Sequence, residues 1–226
     1  MNPSHFALQA RDLVSTAALT RGFVRSKGLY FCRPRHGFED VFFLDLLRPS
    51  HDAFKVAVGI HVPMIAPKLM ALGNADLPSP ILFGYLGQLS GGAQKWYRFK
   101  GSMDLNIAMD AMWTDFNVQA EPWLRKFNTI EEIAWAFYEQ RLKENLVEGK
   151  MRRPDPIAWA IYGWLLAQSG KAEESHEWLN KAQDEVTKPI YVKRGRIYSE
   201  KIAGARQIPR ADPEQRLKEI LEKEIL

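Results

Sequence analysis

The chain is 226 residues long, 46% hydrophobic, 12% aromatic and 26% charged, and its 31 Lys and Arg against 27 Asp and Glu leave a net charge of +4. That apolar share supports a packed core and excludes wholesale disorder. With 15 Gly, 13 Pro and one Cys, collagen-like, low-complexity and disulfide-scaffold classes are excluded too. The single cysteine, Cys32, suits a reducing compartment, and Met1 to Thr20 is interrupted by Arg11 and Asp12 instead of forming an apolar signal core. No run of about 18 apolar residues occurs, so the expectation is a cytoplasmic chain with no membrane contact.

The first element in chain order reads as a helix, with Phe6, Ala10, Leu13 and Ala17 at helical spacing and Gly22 as its stop. Strand-like runs follow. Phe23 to Arg33 reads as a hairpin around Lys27-Gly28, and Glu39 to Leu47 and Ala53 to Val62 as two further strands. In the last run Phe54, Val56, Val58, Ile60 and Val62 alternate with lighter or polar residues, a period of two that puts one face on a core. Ile81 to Leu89 and Gln94 to Lys100 read as two more strands joined by a hairpin at Ser90-Gly91-Gly92. Short connections favour antiparallel pairing.

From Asp104 the period becomes helical through Leu105, Ala108, Met109 and Met112, and Pro122 opens a short turn. Thr129-Ile130-Glu131-Glu132 is a capping-box pattern for a helix that Gly149 would stop. The charged, two-proline segment Lys150 to Pro156 predicts a domain boundary. Two helices are expected next, Pro156–Ser169 and Lys171–Val186, then a helix over Pro189–Arg206 and another over Asp212–Leu226. The positions of Trp159, Gly163, Leu166, Leu179 and Ala182 resemble a single degenerate tetratricopeptide-type helix pair over residues 156–190, in which a small residue at the place of Gly163 lets the paired helix approach closely. Ser175 stands where that repeat usually has alanine, and about three copies are normally needed for a solenoid.

Motifs for chemistry are absent. The five histidines and one cysteine have no zinc spacing, so no metal ligand is assigned. Neither phosphate-cradling glycine loop occurs, nor does the serine-hydrolase elbow, so no cofactor and no catalytic residue is assigned. Cys32 reads as a small buried hydrophobe, or as a reactive thiol if Arg33 and Arg35 lower its pKa. Glu39 and Asp40 are adjacent, so a strand sends them to opposite faces. Alternation groups Asp45 with Val41, Phe43 and Leu47, where a carboxylate needs a partner such as Arg48 or Arg98 unless it lines a cavity. Cations and aromatics gather in the front half, which makes Arg33, Asp45, Arg48, His61, Trp96 and Arg98 the ligand-binding candidates.

One ordered set of landmarks goes further. Arg21-Gly22-Phe23 leads into Lys27-Gly28-Leu29-Tyr30-Phe31-Cys32-Arg33, then Asp40-Val41-Phe42-Phe43-Leu44-Asp45-Leu46 and Phe54-Lys55-Val56-Ala57-Val58-Gly59-Ile60-His61-Val62-Pro63. Trp96-Tyr97-Arg98-Phe99 and Glu121-Pro122-Trp123-Leu124-Arg125-Lys126-Phe127 complete it. Over about residues 5–142 this resembles the bacterial domain-of-unknown-function family 4304. The family's second strand commonly ends in a polar, Gln-containing step where this chain has Asp45-Leu46-Leu47-Arg48. The resemblance implies a domain and no mechanism.

The expected fold is α+β: an antiparallel sheet of about five strands with helices on one face in residues 1–149, and an α-helical lobe in 150–226 built on an αα-hairpin. Two classes of function follow. The first is a non-enzymatic protein–protein binding or adaptor module. The alternative is a small-ligand-binding protein or enzyme with a polar site on the sheet face. Nucleic acid ranks below both, since +4 is a small excess for a polyanion binder.

Overall fold

The computed structural model describes residues 3–47, 52–73, 80–100, 102–143, 155–193, 196–198 and 206–225. It is α+β, and it divides into two compact units. One comprises Met1–Pro63 with Pro80–Asn128, the other Met64–Ser79 with Thr129–Leu226. The division therefore falls at Asn128–Thr129, not at 149–150. The helix begun by Thr129 packs its aromatic side on the helices that follow and belongs with them.

The first unit opens with α1 (Pro3–Leu19) and continues into a six-stranded antiparallel sheet. Its strands are β1 (Val24–Lys27), β2 (Tyr30–Pro34), β3 (Glu39–Leu46), β4 (Ala53–His61), β5 (Leu82–Tyr85) and β6 (Tyr97–Arg98). Gly28, at φ +58°, supplies the left-handed residue that closes the β1–β2 hairpin. The order is β1-β2-β3-β4-β5, with β6 also on β4.

A hairpin between β5 and β6 does not form. Residues 57–60 of β4 pair with β5 and residues 53–54 pair with β6, so the two short strands lie end to end along one edge. A 3₁₀ turn at Gln88–Ser90 separates them.

Even-numbered residues of β3 and β4 face the core. Phe42 lies at its centre, stacked on Phe31 at 4.8 Å and edge-on to Phe23, Phe116 and Trp113 at 5.0, 5.3 and 5.6 Å. Trp113 comes from α3 (Ser102–Asp115), and Phe116 from a π-helical stretch, Phe116–Ala120, that runs into α4 (Glu121–Leu124). Helices thus cover this face of the sheet.

In the second unit α2 (Ala66–Leu72), an element the sequence reading did not include, anchors on α8 (Asp212–Ile225): Lys68 pairs with Glu224, which also accepts from Trp164 Nε1 at 2.9 Å. The unit's centre is the hairpin of α6 (Pro156–Gln168) and α7 (Ala172–Thr187), with α5 (Ile130–Phe137) packed on α6.

The helix expected over Pro189–Arg206 is replaced by β7 (Ile190–Lys193), β8 (Arg196–Tyr198) and β9 (Arg206–Ile208), an antiparallel sheet of order β8-β7-β9. Ile190-Tyr191-Val192 is a β-branched and aromatic run placed straight after Pro189, and that local preference prevails over the weak 3.6-residue spacing. Gly195, Ile202 and Ala205, within the span of that expected helix, lie outside the described residues.

Candidate functional site

The six candidates from sequence separate into distinct arrangements. Arg33 belongs to the inner face, in register with Asp40. Asp40 is fully buried, and its Oδ2 accepts from Arg33 Nη2 at 2.7 Å, Arg33 Nε at 2.9 Å and Arg35 Nη1 at 3.2 Å. Arg33 also grips Glu121 of α4 with two hydrogen bonds, 2.8 and 3.2 Å, and its guanidinium lies 4.4 Å over the Phe23 ring. Arg35 donates to the carbonyl of Phe127 at 2.9 Å. The guanidiniums are committed to ties between sheet and helix, so Arg33 is a structural residue here.

Asp45 and His61 share the outer face but occupy opposite ends of it. Glu39 pairs with His61 and Asp45 with Lys55, six residues apart on β3. At roughly 3.4 Å per residue that is about 20 Å, too far for one ligand pocket. Asp45 does not meet Arg98; its partner is Lys55, at 3.1 Å, because the β3–β4 register sets them opposite each other. The Lys55 ammonium lies 4.2 Å from the Tyr85 ring and 5.2 Å from that of Trp96. Burial pulls the Lys55 pKa down, but hydrogen bonds to Asp45 and Tyr85 outweigh it and leave it raised. Arg98 is exposed, and its place opposite Ala53 puts it on this same face. Arg48 lies outside the described residues.

His61 is 5% exposed, and its Nδ1 is 2.9 Å from Glu39 Oε2. Burial, and then the Glu39 charge, push the Tyr30 phenol and the Cys32 thiol upward. Cys32 is therefore held as a thiol, against the thiolate reading: Arg33 and Arg35, whose charge would have lowered it, are spent on Asp40 across the sheet. Among the described residues no group of three or more His, Cys, Asp or Glu could hold a metal ion.

A second arrangement, which the sequence reading did not single out, lies in the helical unit. Thr129 builds it from below: its side chain accepts from Glu132 N and Glu132 Oε2 accepts from Thr129 N, both at 3.1 Å, fixing where α5 begins. Trp135 then stands 59% exposed, stacked on Tyr138 at 5.6 Å. Tyr138 touches Tyr162 of α6 at 5.4 Å and Trp178 of α7 at 6.2 Å. The close approach of α6 and α7 depends on Gly163, where a Cβ would sit 2.9 Å from Leu179 Cγ and 3.2 Å from the Ser175 carbonyl. This is the small-residue role expected from the tetratricopeptide-like pattern.

The aromatic run ends in a cation. Lys181 Nζ lies 4.5 Å from the ring centres of both Trp159 and Trp178. Carboxylates border the run: Glu131 pairs with Lys171, and the Glu174 charge helps burial raise the Tyr162 phenol. Trp159 stands in the tetratricopeptide-like sequence pattern, and Tyr138 is half-buried; Trp135 is marked by its exposure, which periodicity does not give.

No protein-family model, curated protein or solved structure matches the chain. Among the described residues no helix is long and apolar enough to cross a membrane.

Proposed function

We propose that the chain is a non-enzymatic binding protein that docks a protein partner on the aromatic run of its helical unit. The observation that carries this reading is Trp135, a large ring left mostly in solvent yet held in place by its stack on Tyr138. An indole ordered before binding loses little entropy when covered. Covering its exposed part, roughly 150 Å² at about 25 cal/mol per Å², contributes about 3–4 kcal/mol, the size of an interface hot spot. Tyr138 and Trp178 extend the same surface, and exposed carboxylates at Glu173, Glu174 and Glu177 give it a polar rim.

The test is selection of random peptides displayed on phage against the immobilised chain, with the Trp135→Ala variant as comparison. The expected result is a set of enriched peptides whose affinity falls roughly 100- to 700-fold on the variant. No enrichment, or equal binding to both proteins, overturns the proposal.

A second reading, a small-ligand or enzyme site, is favoured by one observation: Lys55, Tyr85, Trp96 and Asp45 converge on the outer face of the sheet, the face that also carries Arg98. The resemblance of residues 5–142 to family 4304 implies no mechanism and so favours neither site.

A further inference from the structure

We infer that the slot between Trp159 and Trp178 is a recognition position for a cationic side chain, an arginine or lysine of the docked partner, and that Lys181 is its resident stand-in. This rests on the docking reading and adds the partner's chemistry to it. The ammonium is equidistant, 4.5 Å, from two indole faces, the most favourable aromatic surface for a cation.

A competing partner makes the placement informative. Glu177 stands four residues before Lys181 on α7, the favourable order for an i,i+4 ion pair. Even so, no carboxylate pairs with Lys181 among the described residues, and its ammonium turns to the rings. The ammonium rests on the two rings and takes no carboxylate in their place. Lys181 is itself exposed and held by the rings alone, so it can swing out at small cost. A guanidinium is flatter and less strongly hydrated than an ammonium and stacks better on an indole, which favours exchange for arginine.

Charge complementarity points to the same occupant. Helix α7 carries Glu173, Glu174, Glu177, Asp184 and Glu185 against Lys181 as its one basic residue. Glu173, Glu177 and Asp184 are exposed and make no salt bridge among the described residues. A basic segment laid along the aromatic run would find a carboxylate rim beside the slot, and an acidic one would be repelled.

The experiment uses the full chain, wild type and Lys181→Ala, with N-acetyl-arginine amide as probe and its neutral citrulline counterpart as control. Binding is read from the indole Nε1–H signals of Trp159 and Trp178 in ¹⁵N NMR spectra. The expected result is that the arginine probe shifts both indoles at millimolar concentration. Lys181→Ala binds it roughly fivefold more tightly than wild type, the factor two weak exposed cation–π contacts correspond to, and the citrulline probe has no effect. Three outcomes overturn the inference: no indole shift in Lys181→Ala, equal affinity in both proteins, or an equal response to the neutral probe. Each can occur while selected peptides still need Trp135, so failure of the slot is distinguishable from failure of the docking surface.

Discussion

Asp40→Asn is the most direct perturbation of the first unit, because it removes one charge without opening a cavity. The carboxylate has no exposed surface, and one of its oxygens accepts three charge-assisted bonds from two guanidiniums. Breaking a fully buried ion pair by losing one partner costs about 3–5 kcal/mol. Here the figure is trimmed, since the Arg33 and Arg35 side chains keep 20% and 25% of their surface in solvent and Arg33 retains Glu121. A loss of about 2–3 kcal/mol is expected, equivalent to roughly 4–12 °C in Tm. Urea unfolding followed by far-UV circular dichroism measures it, with Arg35→Met and the double variant closing a cycle that isolates the pair. The loss should persist at high salt, because a buried pair is weakly screened. A change below about 0.5 kcal/mol, the range of an ordinary surface substitution, would refute the reasoning.

Gly163→Ala separates packing from helix propensity. An alanine in a helix is ordinarily worth about 1 kcal/mol over glycine, but the contacts awaiting its Cβ at Leu179 and Ser175 should instead cost about 1–3 kcal/mol in chemical denaturation; a stabilised variant would contradict the packing. Cys32 should react with iodoacetamide at pH 8 more slowly than free cysteine and faster in Glu39→Gln, since the Glu39 charge adds to burial in raising its pKa; an unchanged rate would count against that contact. Tyr97 is raised by burial and by its 2.7 Å hydrogen bond to Asp115, so its phenol is held protonated in the folded state. That contribution is complete below the unfolded tyrosine pKa of about 10 and is lost as pH climbs from there toward the higher folded value. Tyr97→Phe should be less stable at pH 7 by about 1–2 kcal/mol and show a shallower alkaline limb; an unaltered limb would remove Tyr97 from the linkage.

The period-two rhythm of Ala53–Val62 and the hairpin at Gly28 made most of the sheet legible, because alternation and turn residues are local signals. The capping box at Thr129 and the Gly163 approach were legible for the same reason. The candidate site was less so. Lys55 and Asp40 are the actual partners of Asp45 and Arg33, and both pairings are products of strand register, which sequence alternation does not specify. β5 and β6 failed to form a hairpin because both take hydrogen bonds from the same edge of β4, a non-local choice. Over Ile190–Lys193 two periodicities competed, and the β-branched run prevailed. The aromatic run on α5, α6 and α7 escaped notice because a tryptophan at a helix-face position looks the same in sequence whether it is covered or bare.

Chemical-shift mapping of the ¹⁵N-labelled chain with the tightest peptide from the display selection tests the docking surface most directly. The account expects the largest changes at Trp135, Tyr138, Trp178 and their neighbours on α5 and α7. Changes centred on Lys55, Tyr85 and Trp96 would contradict it and move the binding site to the outer face of the sheet.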